Sequence, residues 1–471
     1  MRLDGGARAR EHRAVGSGRL LALVGIALAV AAAARAADRP PPPPHPNIVI
    51  LLADDLGWDD VGYHGSEIKT PRIDKLAADG VQLDQFYAMQ ECTPARAALL
   101  TGRHPIRYGL QEGVFWPWNK VGLSLKERTL PQALREAGYA TTMIGKWHLG
   151  IFEPAYLPMA RGFDHHYGGP YTGLMDYFQH RYYTLDWHRD GHPLVEEGYA
   201  TTLLGREAVR VIEQHDFAKP LFLYLAFSAP HAPPQAPPEY VQPYASIADE
   251  TRRTYAGMVA ALDDQIGRVL DALAKRGVLG STLVLFASDN GGSPPHGGRN
   301  QPLRGIKAEL WEGGVRVPAV AWWPGVLPSG MVEKQPIHIT DVYPTLLALA
   351  GAKREQPLAL DGFDVWGTLA RGEPTPRKEM LINAMPKQSA IRVGDWKLVR
   401  TNNPSEFTVE LFDLAKDPDE ERDVSRQFPE QVDALEARLS AYQSQAVPAL
   451  GPFPLNMPVG YQVPKVWGDP N

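Results

Sequence analysis

The stretch Asn47-Ile-Val-Ile-Leu-Leu-Ala-Asp-Asp-Leu-Gly57 contains an unbroken apolar run that ends in two adjacent carboxylates. A continuous apolar run, unlike an alternating one, is typical of a strand that is buried on both faces. Such strands belong to parallel sheets that carry helices on either side. The stretch therefore predicts a central strand with Asp54 and Asp55 at its carboxyl end.

Three later segments repeat this pattern, with an apolar run that ends in polar residues: Ala140 to Ile144 before Gly145-Lys146-Trp147-His148, Leu221 to Phe227 before Pro230-His231, and Thr282 to Ala287 before Asp289-Asn290. Helical patterns lie between them, the clearest from Arg252 to Arg276. Alternating strands and helices predict an α/β fold with a mostly parallel central sheet flanked by helices. Ligands bind beyond the carboxyl ends of such strands, so distant loops are expected to form one site.

The character of the sequence changes after about residue 375. Ala390 to Val393, Trp396 to Arg400 and Thr408 to Phe412 alternate like strands, and Glu430 to Gln443 has the pattern of an amphipathic helix. We therefore expect a catalytic domain over residues 47–375. A C-terminal subdomain over residues 376–471 is expected to form a small antiparallel sheet and a helix.

The N-terminal residues have the layout of an export signal. Several arginines precede an apolar run from Leu20 to Ala34, which a small-x-small cleavage site follows. The run is shorter than the ~20 residues of a membrane span, so a signal peptide over residues 1–36 is favoured over an anchor, with no stable membrane insertion after cleavage. A proline-rich spacer follows over residues 37–46. No acceptor for N-glycosylation is present, which favours a bacterial periplasm over secretion or a lysosome.

Composition excludes several classes of protein. With 48 basic and 54 acidic residues the net charge is −6, which argues against a nucleic-acid partner. The chain has one cysteine, so it has neither an internal disulfide framework nor a multi-cysteine zinc site. The position of that cysteine is therefore informative.

The cysteine lies in Cys92-Thr-Pro-Ala-Arg96, at the start of a helix-like stretch, and Thr101-Gly-Arg103 follows. Pro94 is tolerated at the beginning of a helix, so Cys92 is expected near the positive end of the helix dipole. Taken alone, a buried structural cysteine is the simpler interpretation. The surrounding motif favours a reactive role.

Oxygen donors follow two of the predicted strands: Asp54, Asp55, Asp289 and Asn290. Either pair alone is more simply a turn cap. Together, three carboxylates repel one another unless a cation balances them, and an all-oxygen donor set suits a hard ion such as Ca²⁺. Six cationic or titratable side chains follow the same strands or lie in nearby loops: Arg96, Arg103, Lys146, His148, His231 and Lys307. Taken singly, each of them could be a surface or turn residue.

These motifs resemble those of the type I, formylglycine-dependent sulfatases. Four stretches carry the resemblance and are most similar to the arylsulfatase B (N-acetylgalactosamine-4-sulfatase) branch: Asn47 to Gly57, Cys92 to Arg103, Gly145 to Gly150 and Leu310 to Arg316. The resemblance implies an alkaline phosphatase-like core and a Cα-formylglycine that a maturation enzyme makes from Cys92. Ala95 departs from the Ser that many members have in this motif, which leaves the efficiency of conversion open.

The resemblance also implies roles for the site residues. One Ca²⁺ would bind Asp54, Asp55, Asp289, Asn290 and the residue derived from Cys92. Lys146, Lys307 and Arg96 would neutralise the sulfate and the nucleophile. His231 or Lys307 would protonate the leaving oxygen, His148 would take a proton from the second hydroxyl, and Arg103 would support the loop of Cys92.

A small sulfate ester or a sulfated saccharide, such as N-acetylgalactosamine 4-sulfate, is the expected substrate. Aromatic residues that could stack on sugars, or pack around the core, lie in the loops: Trp116, Trp118, Tyr171, Tyr177, Phe178, Tyr182, Tyr183 and Trp187. Two alternatives remain. One is a phosphoester or phosphonate hydrolase on the same core, and the other is an inactive homologue that binds sulfated glycans.

Overall fold

The computed structural model describes residues 42–171, 176–385, 387–403 and 406–469. The expected signal peptide, residues 1–36, lies outside the described residues. In chain order, the strands are β1 (Asn47–Ala53), β2 (Val81–Leu83), β3 (Phe86–Tyr87), β4 (Ala140–Gly145), β5 (His165–Gly168), β6 (Arg181–Tyr182), β7 (Thr184–Leu185), β8 (His188–Arg189), β9 (His192–Pro193), β10 (Leu221–Ala226), β11 (Thr282–Ser288), β12 (Ala319–Trp322), β13 (Met331–Glu333), β14 (Ile337–His338), β15 (Glu379–Ala384), β16 (Gln388–Val393), β17 (Trp396–Asn403) and β18 (Glu406–Asp413).

Helices connect these strands, joined by short 3₁₀ turns. The α-helices are α1 (Pro71–Asp79), α2 (Cys92–Thr101), α3 (Leu130–Glu136), α4 (Ala200–Gln214), α5 (Pro238–Val241), α6 (Glu250–Lys275), α7 (Glu312–Val315), α8 (Val342–Leu349), α9 (Trp366–Arg371) and α10 (Pro429–Gln443). Among the residues described, none of these helices combines the length and the hydropathy that a membrane span requires.

The four apolar runs of the sequence form the centre of the largest sheet. Its strand order is β13-β2-β12-β11-β1-β10-β4-β5-β8-β9. The run β11-β1-β10-β4-β5 is parallel, and Ile50 of β1 pairs with Tyr224 on one side and Leu285 on the other. Antiparallel strands complete the sheet at β12 on one side and at β8 and β9 on the other. The expectation of a mostly parallel α/β sheet is confirmed.

Helices cover both faces of this sheet. On one face Ile48 and Ile50 of β1 pack in a core that includes α2, α3 and α8. On the other face Val49 and Leu51 pack in a second core that includes α1, α4 and α6. Alternate residues of β1 thus point into two cores, which explains why its sequence is apolar at every position.

The C-terminal region forms the antiparallel sheet β15-β16-β17-β18, and α10 packs against β15 and β16. Three of its strands and the helix were expected from the sequence, whereas β15 was not. The boundary between residues 375 and 376 stays a prediction. After α10 the chain returns to the catalytic domain, where Val447 N donates to Ile106 O at 2.9 Å and Leu450 N donates to Gly109 O at 2.8 Å.

Candidate active site

The strand ends bring the expected polar residues to one place. Asp54 and Asp55 follow β1, Lys146 and His148 follow β4, and Asp289 follows β11. Asp55 and His148 both have positive φ, of 64° and 61°, a costly conformation for residues with a Cβ. Strained backbone at two of these positions is typical of functional sites.

Gly145 shows why β4 can end at the site. Its φ is 107°, and a Cβ at this position would lie 1.9 Å from the carbonyl oxygen of Ala226 in β10. Only glycine fits there, and the turn brings Lys146 to the carboxylate of Asp54, which follows β1 on the far side of β10. The Lys146 backbone N–H is held by the carbonyl of Ala226 at 2.8 Å.

Cys92 is the first residue of α2 and is buried, at 2% exposure. Its Sγ lies 3.4 Å from Oδ1 of Asp54 and 4.0 Å from Oδ1 of Asp55. Burial, followed by the charge of Asp54, raises the pKa of the thiol well above its usual range. An unmodified Cys92 is therefore a protonated thiol at neutral pH and a poor nucleophile.

Asn290 and the carboxylates form the expected oxygen cluster. Ligand atoms of Asp54, Asp55, Cys92 and His231 lie within 4.8 Å of one another. The amide nitrogen of Asn290 donates to Oδ1 of Asp55 at 2.8 Å and to Gly291 O at 2.9 Å. Its Oδ1 is buried and has no hydrogen-bond partner among the described residues. A buried acceptor without a donor, next to carboxylates, fits a hard cation.

Two lysines neutralise the pair of carboxylates after β1. Nζ of Lys146 lies 2.6 Å from Oδ2 of Asp54, and Nζ of Lys307 lies 2.7 Å from Oδ1 of Asp55. Burial alone would raise the pKa of Asp55, but Lys307, followed by His231, holds that pKa well below its usual range. Lys307 reaches the site from the loop that follows β11 and lies 3.6 Å from the sulfur of Cys92.

Arg96 is fully buried on α2 and pairs with Asp289. Its Nη2 donates to Oδ2 of Asp289 at 2.7 Å, and its Nη1 donates to the carbonyl of Lys146 at 2.9 Å. Arg96 does not line the cleft above Cys92. Its guanidinium positions Asp289 and Lys146 within the protein, and the expected role of Arg96 in neutralising the sulfate and the nucleophile stays a prediction.

The two histidines are held as defined neutral tautomers. Nε2 of His148 donates to the carbonyl of Phe115 at 2.9 Å, which leaves a buried Nδ1 that has no partner among the described residues. Nδ1 of His231 donates to the carbonyl of Ala232 at 2.7 Å, and its Nε2 lies 3.7 Å from Asp55. Burial lowers the pKa of both rings, and Lys146 adds to this effect at His148.

Arg103 lies at the other end of α2. Its Nε lies 2.9 Å from Oε2 of Glu127, and its Nη1 donates to the carbonyl of Ala359. About 16 Å of helix separates it from Cys92. The expectation that Arg103 supports the loop of Cys92 is therefore corrected: it anchors the C-terminal end of the helix.

A cleft of about 500 Å³ opens above Cys92. It is lined by catalytic candidates and by aromatic, acidic and apolar residues: Glu91, Cys92, Val114, Trp116, Lys146, His148, Tyr171, Tyr182, His231, Ala232, Pro233, Pro234, His296 and Lys307. Glu91 and His296 were missed in the sequence. Glu91 precedes Cys92 and could have been found by adjacency, whereas no local pattern marks His296.

The aromatic loop residues divide into two groups. Trp116, Tyr171 and Tyr182 line the cleft. Tyr177 and Trp187 are buried in a hydrophobic core instead. The hydroxyl of Tyr177 donates to the carbonyls of Ser228 and His231 and thereby supports the loop that carries His231.

A second cavity, of about 560 Å³, lies between the catalytic domain and α10. Two arginines that line it are already paired, Arg107 with Asp361 at 2.8 Å and Arg377 with Asp341. None of the strand-end residues lines it. The smaller cleft above Cys92 is therefore the candidate active site.

Comparison with known proteins agrees with this geometry. Residues 46–352 match the family model of the sulfatases. The chain belongs to the sulfatase family. It is 38% identical to arylsulfatase J of Mus musculus over 463 residues, which cover 86% of this chain and 77% of that protein. It is 35% identical to N-acetylgalactosamine-6-sulfatase of Mus musculus, covering 77% of this chain and 74% of the relative.

Solved structures show the same relationship. The crystal structure of Ps i-CgsB in complex with k-i-k-neocarrahexaose is 33% identical, with a TM-score of 0.80 and coverage of 86% of this chain and 94% of that chain. PsFucS1 sulfatase from Pseudoalteromonas sp. is 28% identical, with a TM-score of 0.75 and coverage of 90% and 94%. This sulfatase is a sulfuric ester hydrolase with an alkaline phosphatase-like fold. Its assignment to the arylsulfatase B branch stays a prediction.

Proposed function

We propose that this sulfatase hydrolyses the sulfate monoester of a sugar, with a nucleophile made by conversion of Cys92 to Cα-formylglycine and with one bound Ca²⁺. The observation that carries the proposal is the position of Cys92, whose sulfur lies between the carboxylate of Asp54 and the ammonium of Lys307. Burial raises the pKa of its thiol, so the unmodified side chain is a poor nucleophile. A hydrated aldehyde there supplies one hydroxyl to attack sulfur and a second whose deprotonation restores the aldehyde and releases sulfate.

The donor set fits calcium. Asp54 and Asp55 belong to one cluster of ligand atoms, Oδ1 of Asp289 accepts from the backbone N–H of Asp55 at 3.3 Å, and Oδ1 of Asn290 has no partner among the described residues. Oxygen donors of this kind are those that a hard cation prefers. A cation held by these residues would supply the Lewis acidity that makes a hydroxyl at position 92 a usable nucleophile at neutral pH. Arg96 holds Asp289 in place, because it donates twice to the same carboxylate oxygen.

The chain's own residues then perform the remaining tasks. Lys146 and Lys307 line the cleft and stabilise negative charge on the sulfate oxygens. His148 accepts the proton of the second hydroxyl at Nδ1, since its Nε2 hydrogen is committed to Phe115.

His231 protonates the leaving oxygen through Nε2. Lys307 is adjacent to the Cys92 side chain, and an in-line displacement places the leaving oxygen on the opposite side of sulfur from the nucleophile. Lys307 is already paired with Asp55, so His231 is the proposed proton donor. It acts as an imidazolium, whose Nδ1 hydrogen donates to the carbonyl of Ala232 and whose Nε2 hydrogen is transferred to the leaving oxygen; the negative charge of the bound ester favours this form.

The charge balance favours sulfate over phosphate. The three carboxylates of Asp54, Asp55 and Asp289 are paired with three cations, those of Arg96, Lys146 and Lys307. With a divalent metal bound, the site therefore has a net charge of two positive units. A singly charged sulfate monoester and an ionised nucleophile match that excess. A phosphate monoester carries close to two negative charges at neutral pH and would overfill the site.

A sugar is the favoured alcohol. The cleft has an aromatic wall that can pack against a pyranose ring, and the carboxylate of Glu91 on its rim can accept hydrogen bonds from hydroxyl groups. Ps i-CgsB was crystallised with a carrahexaose, and other relatives are named for N-acetylgalactosamine 6-sulfate. A sulfated saccharide is therefore the proposed substrate, and a formylglycine-generating enzyme is a required partner.

The test is to express the chain with and without a formylglycine-generating enzyme and to assay both preparations. The matured protein should hydrolyse 4-nitrophenyl sulfate faster than 4-nitrophenyl phosphate, and Cys92→Ala should be inactive in both preparations. A preference for the phosphate ester would establish the phosphoester alternative. Tight binding of sulfated saccharides without turnover by matured protein would establish the inactive binder.

Export to the periplasm is also part of the proposal, because residues 1–36 have the layout of a cleaved signal. Expression of the full chain in a bacterium should give a periplasmic protein whose first residue is Ala37. A cytoplasmic product that retains Met1 would contradict it.

A further inference from the structure

The wall of the cleft next to His148 is a continuous series of aromatic contacts. The ring of His148 lies 5.1 Å from that of Tyr171, which lies 5.0 Å from that of Tyr182. Tyr182 in turn lies 6.5 Å from Trp118, and Trp118 stacks on Trp116 at 5.6 Å. We refer to Trp116, Trp118, Tyr171 and Tyr182 as the aromatic wall.

The loops that carry this wall contain little regular structure. Tyr182 belongs to the two-residue strand β6, which pairs with the equally short β7 and, through Arg181, forms a single bridge to Asp176. An isolated hairpin of this size is not stable by itself. The orientation of the wall must therefore depend on contacts from elsewhere in the chain.

The C-terminal tail, residues 447–469, supplies those contacts at two places. At the first, the indole nitrogen of Trp118 donates to the carbonyl of Pro454 at 3.3 Å. The ring of Phe453 packs 5.5 Å from that of Phe115, whose carbonyl accepts the hydrogen bond from His148.

The second place is centred on Trp467, which is 2% exposed. Its indole nitrogen donates to the carbonyl of Tyr182 at 2.5 Å, and its backbone N–H donates to the carbonyl of Leu185 at 2.9 Å. The indole ring packs in a small cluster with Ile151 and Tyr171. A single side chain thus contacts both tyrosines that line the cleft.

We propose that Trp467 is a positioning residue for saccharide recognition: it fixes Tyr171 and Tyr182 in the orientation that contacts the sugar of the sulfate ester. The inference rests on the proposed function and adds the C-terminal tail to the substrate site. The sulfate end of the cleft is held by the strand ends and α2, which the hydrogen bonds of Trp467 do not reach.

The experiment uses the full chain, with formylglycine at residue 92 verified by mass. The substrates are 4-nitrophenyl sulfate and a panel of N-acetylgalactosamine 4-sulfate, N-acetylgalactosamine 6-sulfate and a carrageenan hexasaccharide, from which the best wild-type substrate is taken forward. For Trp467→Ala we expect KM for the saccharide to rise ~10-fold with kcat nearly unchanged, because a misplaced aromatic platform costs ground-state binding. The kcat/KM for 4-nitrophenyl sulfate should stay within about threefold.

Trp467→Phe keeps the ring but loses the indole N–H, so its KM for the saccharide should lie between those of wild type and Trp467→Ala. Two controls address general effects of substitution: Trp396→Phe, a half-buried indole that packs on Phe428, and Val459→Ala, an exposed position of the same tail. Both should leave KM unchanged.

Three results would overturn the inference. One is an equal loss on both substrates together with a lower Tm, which would mean a purely structural role. Another is an unchanged saccharide KM in Trp467→Ala. The third is a wild-type enzyme that hydrolyses 4-nitrophenyl sulfate but no saccharide of the panel, which would also remove the saccharide part of the proposed function. Failure of wild type on 4-nitrophenyl sulfate itself would instead reject the proposed function.

Discussion

The ammonium nitrogen of Lys307 lies 3.6 Å from the sulfur of Cys92. The same nitrogen is held by Asp55 at 2.7 Å. The side chain at position 92 therefore faces a fixed positive charge at the place where an attacking oxygen and the transferred sulfate become more negative. Charge that is oriented before the reaction stabilises the transition state more than the ground state.

Removal of this charge should lower kcat. We expect Lys307→Met to reduce kcat on 4-nitrophenyl sulfate by about 10²–10³-fold, the usual effect of deleting one oriented group that stabilises developing charge. Lys275→Met, at an exposed lysine on α6, should have no effect. The measurement is kcat of the two variants by steady-state kinetics, after formylglycine has been verified in both. A loss below about threefold in Lys307→Met would contradict the assigned role.

The metal site can be tested through stability. Calcium binds only the folded protein, so at about 100 times its Kd it should add about 2.7 kcal/mol to the free energy of unfolding and raise Tm. Asn290→Ala removes an oxygen donor and should weaken calcium binding, measured by calorimetry and by the shift in Tm. Asn383→Ala, at a buried amide outside the site, should lower Tm equally with and without calcium. An Asn290→Ala protein with an unchanged calcium-dependent shift would refute the ligand set.

The assignment of His231 predicts a dependence on the leaving group. A general acid matters most when the departing alcohol is a poor leaving group. In His231→Ala, kcat should fall by about 10²–10⁴-fold for the least acidic alcohol of a series of sulfate esters and much less for 4-nitrophenol. His192→Ala, at an exposed surface position, serves as the control. Equal losses of kcat for all esters of the series would show that another group donates the proton.

A buried acidic pair behind the site predicts a pH dependence of stability. Glu312 and Glu420 share the ammonium of Lys397, at 2.9 and 2.8 Å. Burial, and also repulsion from Glu312, raises the pKa of Glu420 above its ordinary value of 4.5. Between pH 4.5 and the raised value the folded state holds a proton that the unfolded state has released, so this group makes stability fall as pH rises.

Glu420→Gln should remove that contribution and flatten the decline by up to about 1.4 kcal/mol per pH unit. Urea unfolding between pH 5 and pH 8 measures how the free energy of unfolding of each protein changes with pH. Glu213→Gln, at an exposed glutamate, is the control. A variant whose stability declines with pH as steeply as that of wild type would show that Glu420 is already ionised throughout this range.

Much of the sheet could be predicted because its signal is local. The apolar runs that precede Asp54, Lys146 and Asp289 are each buried on both faces. Burial on both faces makes the sequence of each run continuously apolar, and that pattern is visible without the structure. The short strands β2 and β13 have no such signal. They owe their conformation to pairing across a long sequence separation, because β2 pairs with both β12 and β13.

The site was predictable for the same reason, and its supporting contacts were not. The carboxyl ends of neighbouring parallel strands necessarily meet, which brings His231 and Asp289, from the strands on either side of β1, close to Asp55. The local sequence does not reveal that Arg96 pairs with Asp289 or that Trp467 returns from the C-terminal tail to Tyr182. Both contacts arise from packing between segments that are distant in sequence.

The most direct test is the mass of the tryptic peptide spanning residues 76–96, measured alongside turnover of 4-nitrophenyl sulfate by the same preparation. With a formylglycine-generating enzyme coexpressed, the peptide should carry an aldehyde in place of the Cys92 thiol, and activity should rise in proportion to the converted fraction. A fully active enzyme whose peptide retains the thiol would contradict the account.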